Sequence, residues 1–237
     1  MRYFGVYILL AAGVLPVLAA GYAIRNKDAL WPNNTIPYKF YGRETFTAKQ
    51  KDVVRESMQT ISRLTGNCVQ FVEHTTEDDY VVFKKSLWCS SMVGRQRGEQ
   101  DVSLSTVCLT SHREPLRQLL HALGFYNEHT RSDRDEFITI NWDNIRDDLR
   151  NVFAIVPDGD TLGLPYDYRS ILHYPVHAFA TDPRILTIVP KFPKVTDVGT
   201  HDELSALDVM MIERLYGCPT AEEKAPVSTW DELVNVA

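Results

Sequence analysis

The chain has 237 residues, 44% of them hydrophobic and 24% charged, with 12 glycines and 12 prolines. That composition excludes a collagen, a low-complexity linker and a wholly disordered chain, and the length suffices to bury a core without help from the four cysteines. A net charge of −6, from 25 basic against 31 acidic residues, gives no reason to expect nucleic acid or an anionic membrane as a partner.

The N-terminus points to a compartment. Arg2 precedes an apolar stretch from Phe4 to Ala20, and small residues follow, the pattern of a secretory signal cleaved from residues 1–20. Pro16 and the shortness of the run argue against a membrane anchor, and no later apolar run is long enough for a span. The expected location is therefore extracellular. In that compartment an even cysteine count reads as two disulfides, with three pairings open among Cys68, Cys89, Cys108 and Cys218. Asn33-Asn34-Thr35 is a glycosylation acceptor at Asn33.

Thr47-Ala48-Lys49-Gln50 fits a capping box, and Val53, Val54, Met58, Ile61 and Leu64 follow at helical spacing as far as Gly66. Three short runs rich in β-branched or aromatic residues read as strands: Cys68 to Val72, Asp79 to Phe83 and Asp101 to Ser105. A second helix is expected from Pro115 to a glycine cap at Gly124. On it Leu116, Leu119, Leu120 and Leu123 share one stripe, while Arg117, Gln118 and His121 lie opposite, facing a cleft or solvent. By itself this is an ordinary amphipathic helix. What sets it apart is the dense polar turn after it, from Gly124-Phe125-Tyr126-Asn127-Glu128-His129 to Asp135. A last helix is expected from Ser205 to Tyr216. Residues 219–237 read as a flexible acidic tail, which leaves residues 21–218 as one α/β domain.

Residues 117–135 resemble the long zinc-binding signature of the astacin metalloendopeptidases, a metzincin family with the pattern H-E-x-x-H-x-x-G-x-x-H-E followed by an R-x-D-R-D run. The likeness extends to Trp31-Pro32-Asn33 through Tyr38, Val93-Gly94-Arg95, Val102-Ser103-Leu104, Ser170-Ile171-Leu172-His173-Tyr174 at the Met-turn, and the closing helix with Asp208 and Cys218. It implies an α+β fold: an N-terminal mixed sheet with two long helices, an irregular C-terminal subdomain and a cleft between them. It also implies the pairings Cys68–Cys218 and Cys89–Cys108, and a buried Glu128 that meets the amino group of the mature chain.

The departures decide the expected chemistry. The family's three histidine ligands fall at Arg117, His121 and Asn127, its glutamate base at Gln118, and its Met-turn methionine at Leu172; the tyrosine that joins the metal shell is kept as Tyr174. A zinc tripod needs three lone pairs around an open water position, and a carboxylate to take the proton. Arg117 offers only donors and a positive charge, Asn127 is a poor zinc ligand, and Gln118 has no basic site. The other histidines, His112, His129 and His173, are not expected to rebuild a tripod. Although zinc is the family's cofactor, it is not expected to bind here. With signal cleavage near Ala20 and the domain under way by Trp31, little chain is left for an inhibitory pro-segment.

The expectation is a secreted, catalytically inactive metalloendopeptidase homologue whose former active-site cleft binds a peptide or protein. An Arg117 turned inward would suit an acidic side chain or a free C-terminus. The alternatives are a zinc metalloendopeptidase with residual activity and a structural secreted scaffold.

Overall fold

The computed structural model describes residues 22–42 and 45–219. The expected signal, and the expected tail beyond its first residue, lie outside the described residues.

The first half is a sheet with two helices. Strands β1 (Thr35–Phe40), β2 (Gln70–Glu73), β3 (Tyr80–Lys85), β4 (Ser90–Ser91) and β5 (Glu99–Leu104) form one sheet in the order β2-β1-β3-β5-β4. All pairs are parallel except β4 with β5, so β4 is an antiparallel edge. Val81, Val82 and Phe83 of central β3 are buried in succession, as a strand covered on both faces requires. On β5, Gln100, Val102 and Leu104 are buried and alternate with the exposed Glu99 and Asp101.

Helix α1 (Ala48–Leu64) opens on the expected capping box: Gln50 N donates to Thr47 Oγ1 at 3.3 Å and Thr47 N to Gln50 Oε1 at 3.1 Å. Its Val54, Met58 and Ile61 share a core with Leu116, Leu119, Leu120 and Leu123 of α2 (Arg113–Leu123). Helix α2 begins two residues before the expected start, so Pro115 sits inside the first turn, where its missing N–H leaves no helical bond unmade. The strands are likewise displaced by one or two residues from the expected spans, and β2 begins only at Gln70, two residues after the disulfide-bonded Cys68.

The C-terminal end of α2 is fixed from three sides. Trp31 Nε1 donates to Ala122 O at 2.9 Å, Tyr216 Oη to Leu123 O at 2.8 Å, and Ile24 N to Gly124 O at 2.9 Å. Gly124 is left-handed at φ 110°, and a Cβ there would lie 2.8 Å from Ile24 Cδ1. Only glycine meets both demands.

The second half is irregular, as the resemblance implies. A two-stranded ladder of β6 (Ile138–Ile140) and β7 (Ile188–Pro190), neither expected from the sequence, closes over a small core of Ile138, Ile145, Phe153, Tyr166 and Ile188. Helix α3 (Ala206–Tyr216) is capped by Ser205 and holds the 170–174 turn through buried Asp208, whose carboxylate accepts from Ser170 Oγ at 2.6 Å and Ile171 N at 3.0 Å. Both implied disulfides are present. Cys68–Cys218, with Cα atoms 5.6 Å apart, joins the entry to β2 with the end of α3; Cys89–Cys108, at 6.5 Å, joins the start of β4 to the turn before α2.

Candidate functional site

The two halves leave a cleft of about 490 Å³, walled by Ser90 and Ser91 of β4 on one side and Tyr174 and Phe179 on the other, with Arg117, Gln118 and His121 of α2 as its floor. The expected polar face of α2 is therefore a cleft face and not a solvent face. Arg117, Gln118 and His121 keep only 4%, 3% and 9% of their exposure, because the C-terminal half covers the side of α2 that the sheet leaves open.

Arg117 turns inward. Its Nη1 donates to Asn127 Oδ1 at 3.3 Å and its Nη2 to His173 O at 3.2 Å, and the guanidinium lies 5.0 Å from the Tyr174 ring centre. Glu114, one turn earlier on α2, places Oε1 3.6 Å from Arg117 Nε, and that Nε has no hydrogen-bond partner. Gln118 Nε2 donates to Glu114 Oε2 at 3.4 Å, while Gln118 Oε1 is buried without a partner. His121 Nδ1 lies 2.8 Å from Phe125 O. A carbonyl only accepts, so Nδ1 carries the proton and Nε2 keeps the lone pair. Burial, helped by the Arg117 charge and opposed by the Phe125 carbonyl, pulls the His121 pKa down to about 4, so the ring is neutral at physiological pH.

Of the other histidines considered, His112 stands apart, whereas His129 and His173 lie 6.1 Å apart between ring centres. His112 sits on the α1 side, 3.2 Å from Ser57 Oγ and 3.3 Å from Glu56 Oε2. His129 is buried and stacks on Tyr174 at 4.0 Å between ring centres. The nitrogens of His173 face Tyr166 Oη and Tyr174 O, each at 2.7 Å, and burial lowers its pKa to about 4. Among the described residues, no three His, Cys, Asp or Glu side chains are grouped as a metal site. Arg117, His121 and Asn127 together supply one neutral imidazole, one amide oxygen already accepting from a guanidinium, and the guanidinium itself. That donor set does not fit zinc. Tyr174 faces the guanidinium instead.

Glu128 is buried, with Arg131 Nη1 3.3 Å from its Oε1 and the Asp167 amide donating to the same oxygen at 2.8 Å. Burial pushes its pKa up to about 8 against the pull of Arg131. The amino group of a chain shortened to residue 21 lies outside the described residues. Asn33 is exposed at the entry to β1, and Thr35 Oγ1 donates to its carbonyl at 3.0 Å.

Sequence reasoning missed three contributors. Glu114 was legible, three residues before Arg117 and four before Gln118, but the helix was expected to begin after it. Arg113 reaches across to the carbonyls of His173, Gly199 and His201 and ties α2 to the second half. Phe179, at φ 55°, packs edge-on against Tyr174 at 5.3 Å, and no local pattern marks it.

The family model Astacin (Peptidase family M12A) matches residues 23–217. The chain is 39% identical over 196 residues to zinc metalloproteinase nas-14 of Caenorhabditis elegans, covering 81% of this chain and 38% of that one. It is 36% identical over 191 residues to low choriolytic enzyme of Oryzias latipes, covering 79% and 69%. The solved structure of high choriolytic enzyme 1, a hatching enzyme zinc-protease from the same fish, superposes with a TM-score of 0.76 at 31% identity, covering 83% of this chain and 99% of the other. The chain thus spans well under half the length of the nematode relative and most of the hatching enzymes.

Proposed function

The chain belongs to the astacin family, and on that footing we propose that it is a secreted, catalytically silent member whose cleft holds a peptide or protein segment without cleaving it. The observation that carries the reading is the hydrogen bond from Arg117 to Asn127. Two positions where the family pattern has metal-binding histidines are occupied by a donor and an acceptor that are bonded to each other. Gln118 stands where the pattern has its glutamate and cannot take a proton from water. The cleft itself is open and lined with polar groups, which suits binding. Secretion is supported by the pattern of residues 1–20 and by two disulfides.

The test is metal analysis of the purified protein together with a cleavage assay on denatured casein, with and without chelator. Zinc far below one equivalent and no cleavage are expected. Stoichiometric zinc with chelator-sensitive cleavage would establish the rival reading, a zinc metalloendopeptidase.

A further inference from the structure

We propose that the surface pocket beside Asn33 is a carbohydrate seat, into which the first N-acetylglucosamine of a glycan on Asn33 folds back. The seat presupposes a glycan at that residue, lies apart from the cleft and is independent of what the cleft binds.

A pocket of about 320 Å³ opens between the turn that enters β1 and the loop that joins β2 to β3. Pro32, Asn33 and Pro37 line one wall, and Glu77, Asp78 and Asp79 the other. The two adjacent asparagines of the turn differ in role. Both are left-handed, at φ 52° and 54°, a conformation asparagine tolerates better than most residues. Asn34 turns inward and donates from Nδ2 to Tyr216 O at 3.1 Å, which pins the turn to the end of α3. Asn33 is exposed, and among the described residues only its carbonyl is bonded, accepting from Thr35 Oγ1. Its Nδ2, the atom that carries the sugar in an Asn-X-Thr acceptor, is therefore free at the pocket wall.

The facing wall is held in shape by its own bonds. Glu77 accepts from the amides of Thr75 and Thr76 at 2.7 and 3.1 Å, and Asp79 accepts from that of Gly98 at 2.7 Å and pairs with Arg95. Asp78, between them, is exposed and has no hydrogen bond or ion pair among the described residues. Its carboxylate can accept from the hydroxyls and the acetamide N–H of a sugar, and such charge-assisted bonds are the stronger kind. Pro32 and Pro37 offer apolar rings to the C–H face of the same sugar. A few apolar groups with a well-placed polar one is the usual make-up of a small-ligand pocket, and this one has room for a single sugar. The tether decides occupancy. One sugar in a shallow pocket binds weakly from solution, but linked through one side chain it is held at an effective concentration of about millimolar or above. The pinned turn fixes the anchor, so little further ordering is needed to seat it.

The experiment compares the thermal unfolding of one sequence in three forms. The first is secreted from cells that make only high-mannose glycans, and the second is the same material trimmed by an endoglycosidase to a single N-acetylglucosamine. The third is the bare chain from a bacterial periplasm, where disulfides form. Both sugar-bearing forms should melt about 2–4 °C above the bare chain and together with each other, since only the first sugar is seated. Asp78→Ala should remove most of that gain and leave the bare chain unchanged. A gain that vanishes on trimming would belong to the bulk of the glycan and would overturn the seat. No gain at all, or a gain that survives Asp78→Ala, would overturn it too. An intact mass without glycan on the secreted protein would overturn the modification and the seat together.

Discussion

Arg117 and Asn127, ten residues apart and separated by the Gly124 cap, are joined by a hydrogen bond from Nη1 to Oδ1 of 3.3 Å. The bond turns the end of α2 and the polar turn after it into one closed unit. A side chain that would repel a dication thereby becomes part of the scaffold of the cleft floor.

If the proposed silent cleft is right, giving the chain proteolytic activity should need more than one change. Arg117→His alone leaves no base and no third imidazole; Gln118→Glu alone leaves Arg117 in place. Neither should cleave casein or take up zinc. The combined variant Arg117→His, Gln118→Glu, Asn127→His is the minimal set expected to bind zinc, read by elemental analysis. Zinc uptake at one equivalent by either single variant would contradict the assignment of these positions.

The two disulfides should differ in their contribution to stability. Cys68–Cys218 spans 150 residues and Cys89–Cys108 spans 19. In the chain-entropy model they contribute about 5 and about 3 kcal/mol. Paired alanine substitutions, compared by urea unfolding, should show the larger loss for Cys68 with Cys218. The reverse order would mean that the short bridge does more than close its loop.

Acid should weaken the contribution of His173. Its pKa is held at about 4 in the fold by burial, against 6.5 for the unperturbed side chain. Between those values the unfolded chain binds the proton and the folded chain does not, so the stability tied to a neutral His173 is complete above pH 6.5 and falls as pH drops towards 4. At pH 5 the loss is about 2 kcal/mol. Buried Glu128 and Asp208, with pKa values raised to about 8 and about 6, act in the opposite direction, so whole-protein stability is not the measurement to use. The gap between the unmodified protein and His173→Gln should shrink by that amount from pH 7.5 to pH 5. A gap independent of pH would refute the buried neutral histidine.

Gly124→Ala should destabilise the fold by about 1–3 kcal/mol, since alanine disfavours the left-handed conformation and its methyl group would press on Ile24. Thermal unfolding measures it. A change within error would show that Ile24 and the cap both yield.

Asn33 should carry a glycan when the chain is secreted from eukaryotic cells, because the acceptor lies exposed at the surface. A mass loss on amidase deglycosylation, absent in Asn33→Gln, is the expected result. An unchanged mass would remove the site.

Much of the fold was legible because its signals are local. The capping box at Thr47, the leucine stripe of α2 and the cap at Gly124 each depend on residues within a turn or two. Strands β6 and β7 were not, since three-residue strands carry too little pattern to stand out. Edge strand β4, with only two residues, is defined by its partner β5 alone.

For the cleft, the sequence by itself determined the chemistry on offer: a guanidinium, an amide and one imidazole on a single helical face, and a second amide beyond the glycine. Those identities exclude a three-imidazole tripod at these positions in any fold, because protonation and lone pairs belong to the residue type. Which of their hydrogen bonds were already made was decided only by tertiary structure. His173 O, Phe125 O and Asn127 Oδ1 engage particular atoms of Arg117 and His121 and leave Gln118 Oε1 and Arg117 Nε without a hydrogen-bond partner. Hydrogen bonding is directional, so charge could be read along the chain, whereas which donors and acceptors find partners depends on which groups the fold brings within 3.5 Å.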